Sequence, residues 1–162
     1  MLKAPAPITV RALLRSWSDV RAQPNQAVGH RQLDHTADLA LEIWGPDEPA
    51  VLREAARGVV GILTEQARVS SGDAREVELD ALDAPDRLVR WINEILYLAT
   101  VDGFVTADAT VTLVEGGGLR ATIAGDADGG RLLRTEIKSA TYHDLHLEHR
   151  DGRVIARVVM DV

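Results

Sequence analysis

The 162-residue chain has no cysteine. That excludes disulfides, thiolate zinc sites, iron–sulfur clusters and a cysteine nucleophile, and it suits a reducing, cytoplasmic setting. Lysine is nearly missing too: of 18 basic residues only Lys3 and Lys138 are lysine, and the rest are arginine. With 25 acidic residues the net charge is −7, so no basic stripe is available to grip a nucleic-acid backbone unaided. Any role near RNA is expected to run through a partner, and no DNA partner is expected. Nor does any apolar run approach the roughly 18 to 20 residues that span a bilayer. A soluble protein without a membrane partner is the expectation.

What is present is enough for a sizeable core, since 46% of the residues are hydrophobic, most simply in one domain. Residues 1–29 differ from the remainder. They carry Lys3, Arg11, Arg15 and Arg21 against Asp19, a net charge of 4 − 1 = +3, with Pro5, Pro7 and Pro24 interspersed. Val10, Leu13, Leu14 and Trp17 fall at helical spacing, so one reading is a short basic amphipathic helix that touches a surface or imitates a targeting peptide. The favoured reading is a poorly ordered extension, because Arg11 interrupts the only apolar stretch that could serve as a secretory core.

From Leu39 to Trp44 apolar and other residues alternate with the period of a strand, and Gly45-Pro46 ends it. Asp47 offers an N-cap and Pro49 a first-turn proline; Leu52, Ala55, Ala56, Val59, Val60 and Leu63 then form one helical stripe, expected to end near Gln66. Glu76 to Asp80 alternates again. Asp83 and Pro85 repeat the helix-start chemistry before a second stripe of Leu88, Trp91, Ile92, Ile95, Leu96 and Ala99, which Asp102-Gly103 stops. Phe104–Val114 and Leu119–Ile123 are β-rich runs joined by a glycine-rich turn. Asp151-Gly152 between two further alternating runs is a strong hairpin signal. If those two residues form the loop, facing residue numbers sum to 303. Leu147 then meets Ala156, Leu145 meets Val158 and His143 meets Met160 on the inward face, while Tyr142 meets Asp161 on the wetter one. The segment Glu136–His143 thereby comes beside Asp161.

Few residues are candidates for chemistry. The single lysine of the folded part, Lys138, suits a place where a compact ammonium pairs a carboxylate or oxyanion, unless compositional drift explains it. Asp38 begins one strand and Asp161 ends another, so the two carboxylates can converge on a hard cation, with backbone carbonyls, water or the terminal carboxylate of Val162 completing its shell. Asp38 can equally cap a turn, a role Thr36 can share. His35 can be a ligand, a general base or a partner contact, or a hydrogen-bonded structural residue. His143 is expected in the core, and His146 and His149 at the surface. No histidine pair has zinc spacing. The stretch from Gly125 fails as a calcium loop, because Arg131 takes the required glycine position and Ile137 the closing glutamate's. The run Glu115–Leu119 lacks the lysine and hydroxyl of a phosphate loop, and no serine sits in a nucleophile elbow.

Four separated motifs, "DHTADLALEIWG", "LVRWINEILYLA", "IKSATYH" and a terminal "MDV", together resemble the archease family over about His30 to Val162. The resemblance implies an α+β fold, two helices packed with mostly antiparallel sheets, in the order β-α-β-α-β-β-β-β, occupying residues 30–162 behind the 1–29 extension. It implies an accessory role rather than an enzyme: activation of the RNA ligase RtcB in tRNA splicing or RNA repair, by promoting transfer of GMP from GTP to the ligase's own histidine and sustaining multiple turnover. GTP and Mn²⁺ belong to that ligase, and RNA is met only through it. The family's metal, Ca²⁺ with Mg²⁺ or Mn²⁺ as alternatives, falls on Asp38, Asp161 and the main chain of Val162. Its functional lysine falls on Lys138, and His35 is the further residue expected to serve ligase activation. Ser139 stands where alanine is commoner. Two other classes remain open: a metal-dependent phosphoesterase-type enzyme, and a general chaperone-like binding module.

Overall fold

The structure, a computed structural model, describes residues 27–34 and 38–162. The extension's residues 1–26 and the candidate His35, with Thr36, lie outside them. Among the described residues, seven strands and two long helices follow in the order β1 (Gly29–Asp34), β2 (Leu39–Gly45), α1 (Glu48–Leu63), β3 (Asp73–Leu79), α2 (Ala84–Thr100), β4 (Val105–Leu113), β5 (Leu119–Asp126), a 3-10 turn (Gly129–Leu132), β6 (Ser139–Arg150) and β7 (Arg153–Asp161). All pairings are antiparallel, in a four-stranded sheet ordered β1-β2-β7-β6 and a three-stranded sheet ordered β3-β5-β4. The α+β class and the two helices are as expected. Strand β1 is additional to the expected order: its sequence, Gly-His-Arg-Gln-Leu-Asp, holds one large apolar residue and gives little alternation to read.

Both helices start where the sequence places their caps. The Asp47 carboxylate accepts from the Ala50 N–H and the Asp83 carboxylate from the Asp86 N–H, each at 2.9 Å, and a proline lies in each first turn. Helix α1 stops at Leu63, short of Gln66. Glu65 and Gln66 take left-handed φ values of 51° and 65°, and the Gln66 N–H reaches back to the Gly61 carbonyl at 2.8 Å, which closes the helix end. One apolar core joins Leu41, Ile43, Ala156, Val158 and Met160 of the larger sheet, the facing stripes of α1 and α2, and Ala121 and Ile123 of the smaller sheet. Arg87 ties the layers at one end. It donates to the buried Glu48 of α1 at 2.9 Å and to the Gly117 carbonyl of the β4–β5 turn at 2.8 Å.

The last hairpin turns at Asp151-Gly152, both with positive φ (51° and 72°), and its pairs sum to 303 from Arg150↔Arg153 to His146↔Arg157. Beyond that the register slips. Thr141 faces Val159, Ala140 faces Met160 and Ser139 faces Asp161, so three extra residues of β6 are absorbed in a bulge. Asp144, with φ 50°, makes the bend. The expected pairs Leu145–Val158, His143–Met160 and Tyr142–Asp161 therefore do not form. His143 is exposed instead of core-packed, and Ala140 takes its place against Met160.

Candidate functional site

Strand β7 lies inside the four-stranded sheet, with β2 on one side and β6 on the other. At its C-terminal end the two neighbouring strands begin. Leu39, the first residue of β2, faces Met160 across β2–β7, and Asp38 directly precedes it at the same end of the sheet at which Asp161 ends β7. Across β6–β7 Ser139 faces Asp161, and the Lys138 N–H donates to the Asp161 carbonyl at 2.8 Å. Asp38, Asp161 and Lys138, three of the residues singled out in the sequence, thus share one end of one sheet. The bulge strengthens this juxtaposition. Had the pairing run on without a slip, Tyr142 would face Asp161 and Lys138 would lie beyond the strand end.

Asp38 is half-buried, whereas Lys138, Asp161 and Val162 are exposed. The backbone that carries Lys138 is held from both directions while its side chain stays in water. On the preceding side, the Arg134 and Thr135 N–H groups donate to the Leu63 carbonyl at the end of α1, at 2.7 and 3.1 Å, and Ile137 is buried at 2% exposure. On the following side Asn93 of α2 brackets Ala140. Its side-chain oxygen accepts from the Ala140 N–H at 2.7 Å and its amide nitrogen donates to the Ala140 carbonyl at 3.3 Å. Thr141 adds a hydroxyl bond to the Val159 carbonyl at 3.0 Å.

Asn93 is a residue that sequence reasoning missed. The available signal was an amide in a helix otherwise read for its apolar stripe, since a half-buried amide needs partners. A second anchor lies in the bulge, where the Tyr142 hydroxyl donates to the Asp86 carboxylate in the first turn of α2 at 2.6 Å. That bond, with the Leu82 N–H and Arg90, holds the Asp86 carboxyl below its usual range.

Among the described residues no group of three His, Cys, Asp or Glu side chains is placed to hold a metal ion by itself. The donors at the β7 end are two carboxylates and main-chain oxygens. Oxygen donors of this kind are the type that hard cations take, rather than the nitrogen and sulfur donors of a structural zinc site. No helix among the described residues is long and apolar enough to cross a membrane.

Fold and site together define a small α+β protein of two antiparallel sheets and two helices, with a charged strand end presented to solvent on a fixed backbone. The archease protein family matches residues 30–162, and the chain belongs to that family. Its sequence is 31% identical over 137 residues to the archease of Archaeoglobus fulgidus, covering 82% of this chain and 98% of that one. It is 32% identical over 145 residues to the archease of Methanosarcina mazei, covering 86% and 99%. Among solved structures, protein 1598 of Methanobacterium thermoautotrophicum superposes with a TM-score of 0.65 at 25% identity, covering 83% of this chain and 99% of that one. A Thermotoga maritima archease, described as a possible chaperone, superposes with a TM-score of 0.53 at 25% identity, covering 82% and 96%.

Proposed function

We propose that this chain is an accessory protein that activates an RtcB-type RNA ligase, promoting guanylylation of the ligase's histidine and its repeated turnover in tRNA splicing or RNA repair. The observation that carries the reading is the meeting of Asp38, Asp161 and Lys138 at the end of β7. Exposed charges on a rigid strand end are suited to entering a partner's site. An enzyme acting alone would be expected to enclose its substrate in a cleft.

In this reading Lys138 presents an ammonium to a nucleotide phosphate in the ligase, held at the right place by the Asp161 carbonyl, Asn93 and the buried Ile137. Asp38, Asp161 and the main chain of Val162 hold a divalent cation in this reading, Ca²⁺ as the family resemblance implies, with Mg²⁺ or Mn²⁺ as alternatives that oxygen donors also suit. When bound, such an ion supplies positive charge that complements phosphate.

The test is the rate at which a cognate ligase acquires GMP from GTP, with and without this chain. Asp38→Ala, Asp161→Ala and Lys138→Ala, each singly, are expected to abolish the stimulation while circular dichroism and melting stay those of the parent. Stimulation unchanged in all three variants would overturn the proposal. A chain that suppresses aggregation of unrelated unfolded proteins without needing Lys138 would point instead to a general chaperone, the description given to the Thermotoga maritima relative.

A further inference from the structure

Large apolar side chains left in water are few among the described residues, and four of them gather on one side of the molecule. Leu82 is 85% exposed, Val101 65%, Tyr142 60% and Tyr97 51%. Tyr97 lies in the last turn of α2 and Val101 one turn further on, Leu82 stands two residues before the helix, and Tyr142 reaches its first turn from the β6 bulge. At 100° per residue Arg90, Tyr97 and Val101 fall within one narrow sector of α2. The opposite sector holds Leu88, Trp91, Ile95 and Ala99, which belong to the core.

These side chains stand on a fixed frame. One carboxylate, Asp86, itself 6% exposed, accepts from the Leu82 N–H at 2.9 Å, the Arg90 Nε–H at 2.8 Å and the Tyr142 hydroxyl at 2.6 Å. Leu82 has no partner of the usual kind inside the fold. An apolar residue just before an N-cap commonly packs on the fourth residue of the helix. Here that residue is Arg87, which is committed to Glu48 and the Gly117 carbonyl.

The stripe leads to Lys138. Asp86 meets Tyr142 and, two turns later, Asn93 meets Ala140, so α2 runs antiparallel to β6. Tyr97 lies one turn beyond Asn93, about 6 Å, and Lys138 two residues beyond Ala140, about 7 Å, both toward the same end. We propose that Leu82, Tyr142, Arg90, Tyr97 and Val101 form the docking surface that holds the chain on the protein whose nucleotide site receives Lys138. The matching surface is apolar, with an acidic group opposite Arg90. This rests on the ligase reading and divides the work: Lys138 acts at the nucleotide, while the stripe supplies affinity. Tyrosine and arginine on a rigid frame are the side chains that carry most binding energy at protein interfaces. Arg90 engages Asp86 through Nε, and its guanidinium, 46% exposed, has amino groups to offer a carboxylate. RNA and anionic lipid are poorer occupants, because the chain carries a net charge of −7 and the stripe a single cation.

The test titrates the chain into a single-turnover assay of GMP transfer to a cognate RtcB-type ligase. It reads the maximal acceleration and the chain concentration at half-maximum. The double variant Leu82→Ser, Tyr97→Ala is expected to raise that concentration at least about tenfold, with the parent's maximum still reached at saturation. Lys138→Ala should do the converse, giving no acceleration yet competing with the parent at the parent's affinity. Leu113→Ser, which removes an exposed apolar side chain from the three-stranded sheet, should change neither quantity. An unmoved half-maximum in the double variant, with the parent active and Lys138→Ala inactive, would overturn the inference and leave the ligase reading standing. No acceleration by the parent would overturn both. Two further results would give the stripe another occupant and overturn the inference. One is a single-stranded RNA oligonucleotide bound by the parent and released by the double variant. The other is a dimer of the chain alone that the double variant dissociates.

Discussion

Lys138 combines a fixed backbone with a free-standing side chain, and that combination separates function from stability. Its N–H is tied to the Asp161 carbonyl and its neighbour Ile137 is buried, while the ammonium itself is exposed. Replacing it with alanine is expected to change unfolding free energy by no more than about 0.5 kcal/mol, as for an exposed side chain without structural contacts, which urea titration will measure. Asn93 is the converse. Its two bonds to Ala140 replace water for a half-buried amide and for a strand start, so Asn93→Leu should cost about 1–3 kcal/mol through unpaired backbone groups. It should also weaken any Lys138-dependent activity less than Lys138→Ala does. Lys138 stands out in the sequence as one lysine among many arginines. Asn93 does not, because its role depends on a strand 47 residues away.

The β6–β7 hairpin is the element that assembles the site, and it shows what sequence patterning can and cannot carry. Asp151-Gly152 fixed the turn and five pairs correctly, since both residues accept positive φ. The slip between Thr141 and His146 left no such mark. Its left-handed residue is Asp144 rather than glycine, and alternation looks continuous across it. Strand β1 escaped for a related reason, being an edge strand of mixed polarity with one large apolar residue. The bulge is pinned by Tyr142 to Asp86, a carboxylate whose pKa is lowered first by that bond. A group lowered on folding contributes stability that is fully present above its unfolded pKa and is lost as pH falls through the folded value. Tyr142→Phe is therefore expected to destabilise by about 0.5–1.5 kcal/mol near neutral pH, with the difference from the parent shrinking as pH drops below the carboxylate range. Thermal melts across an acid series will show it. The fold class was legible from the two capped amphipathic helices, and both started at their Asp caps as read.

At the scale of the whole molecule, one core spans both sheets and both helices. The described domain should accordingly unfold as one cooperative unit. Ile95 is fully buried in that core, and Ile95→Ala is expected to cost about 2–5 kcal/mol. Probes on the four-stranded and the three-stranded sheet should lose structure at the same lowered denaturant midpoint. The same rigidity is what the proposed function requires: a partner's nucleotide site can be completed by an inserted strand end only if that end keeps its geometry. The measurement that bears most directly on this is single-turnover transfer of labelled GMP from GTP to a cognate RtcB-type ligase, run with the parent chain and with Lys138→Ala at equal concentration. Acceleration by the parent and none by Lys138→Ala, with both proteins equally folded, is the predicted result. Equal acceleration by the two, or none by either, would contradict the account.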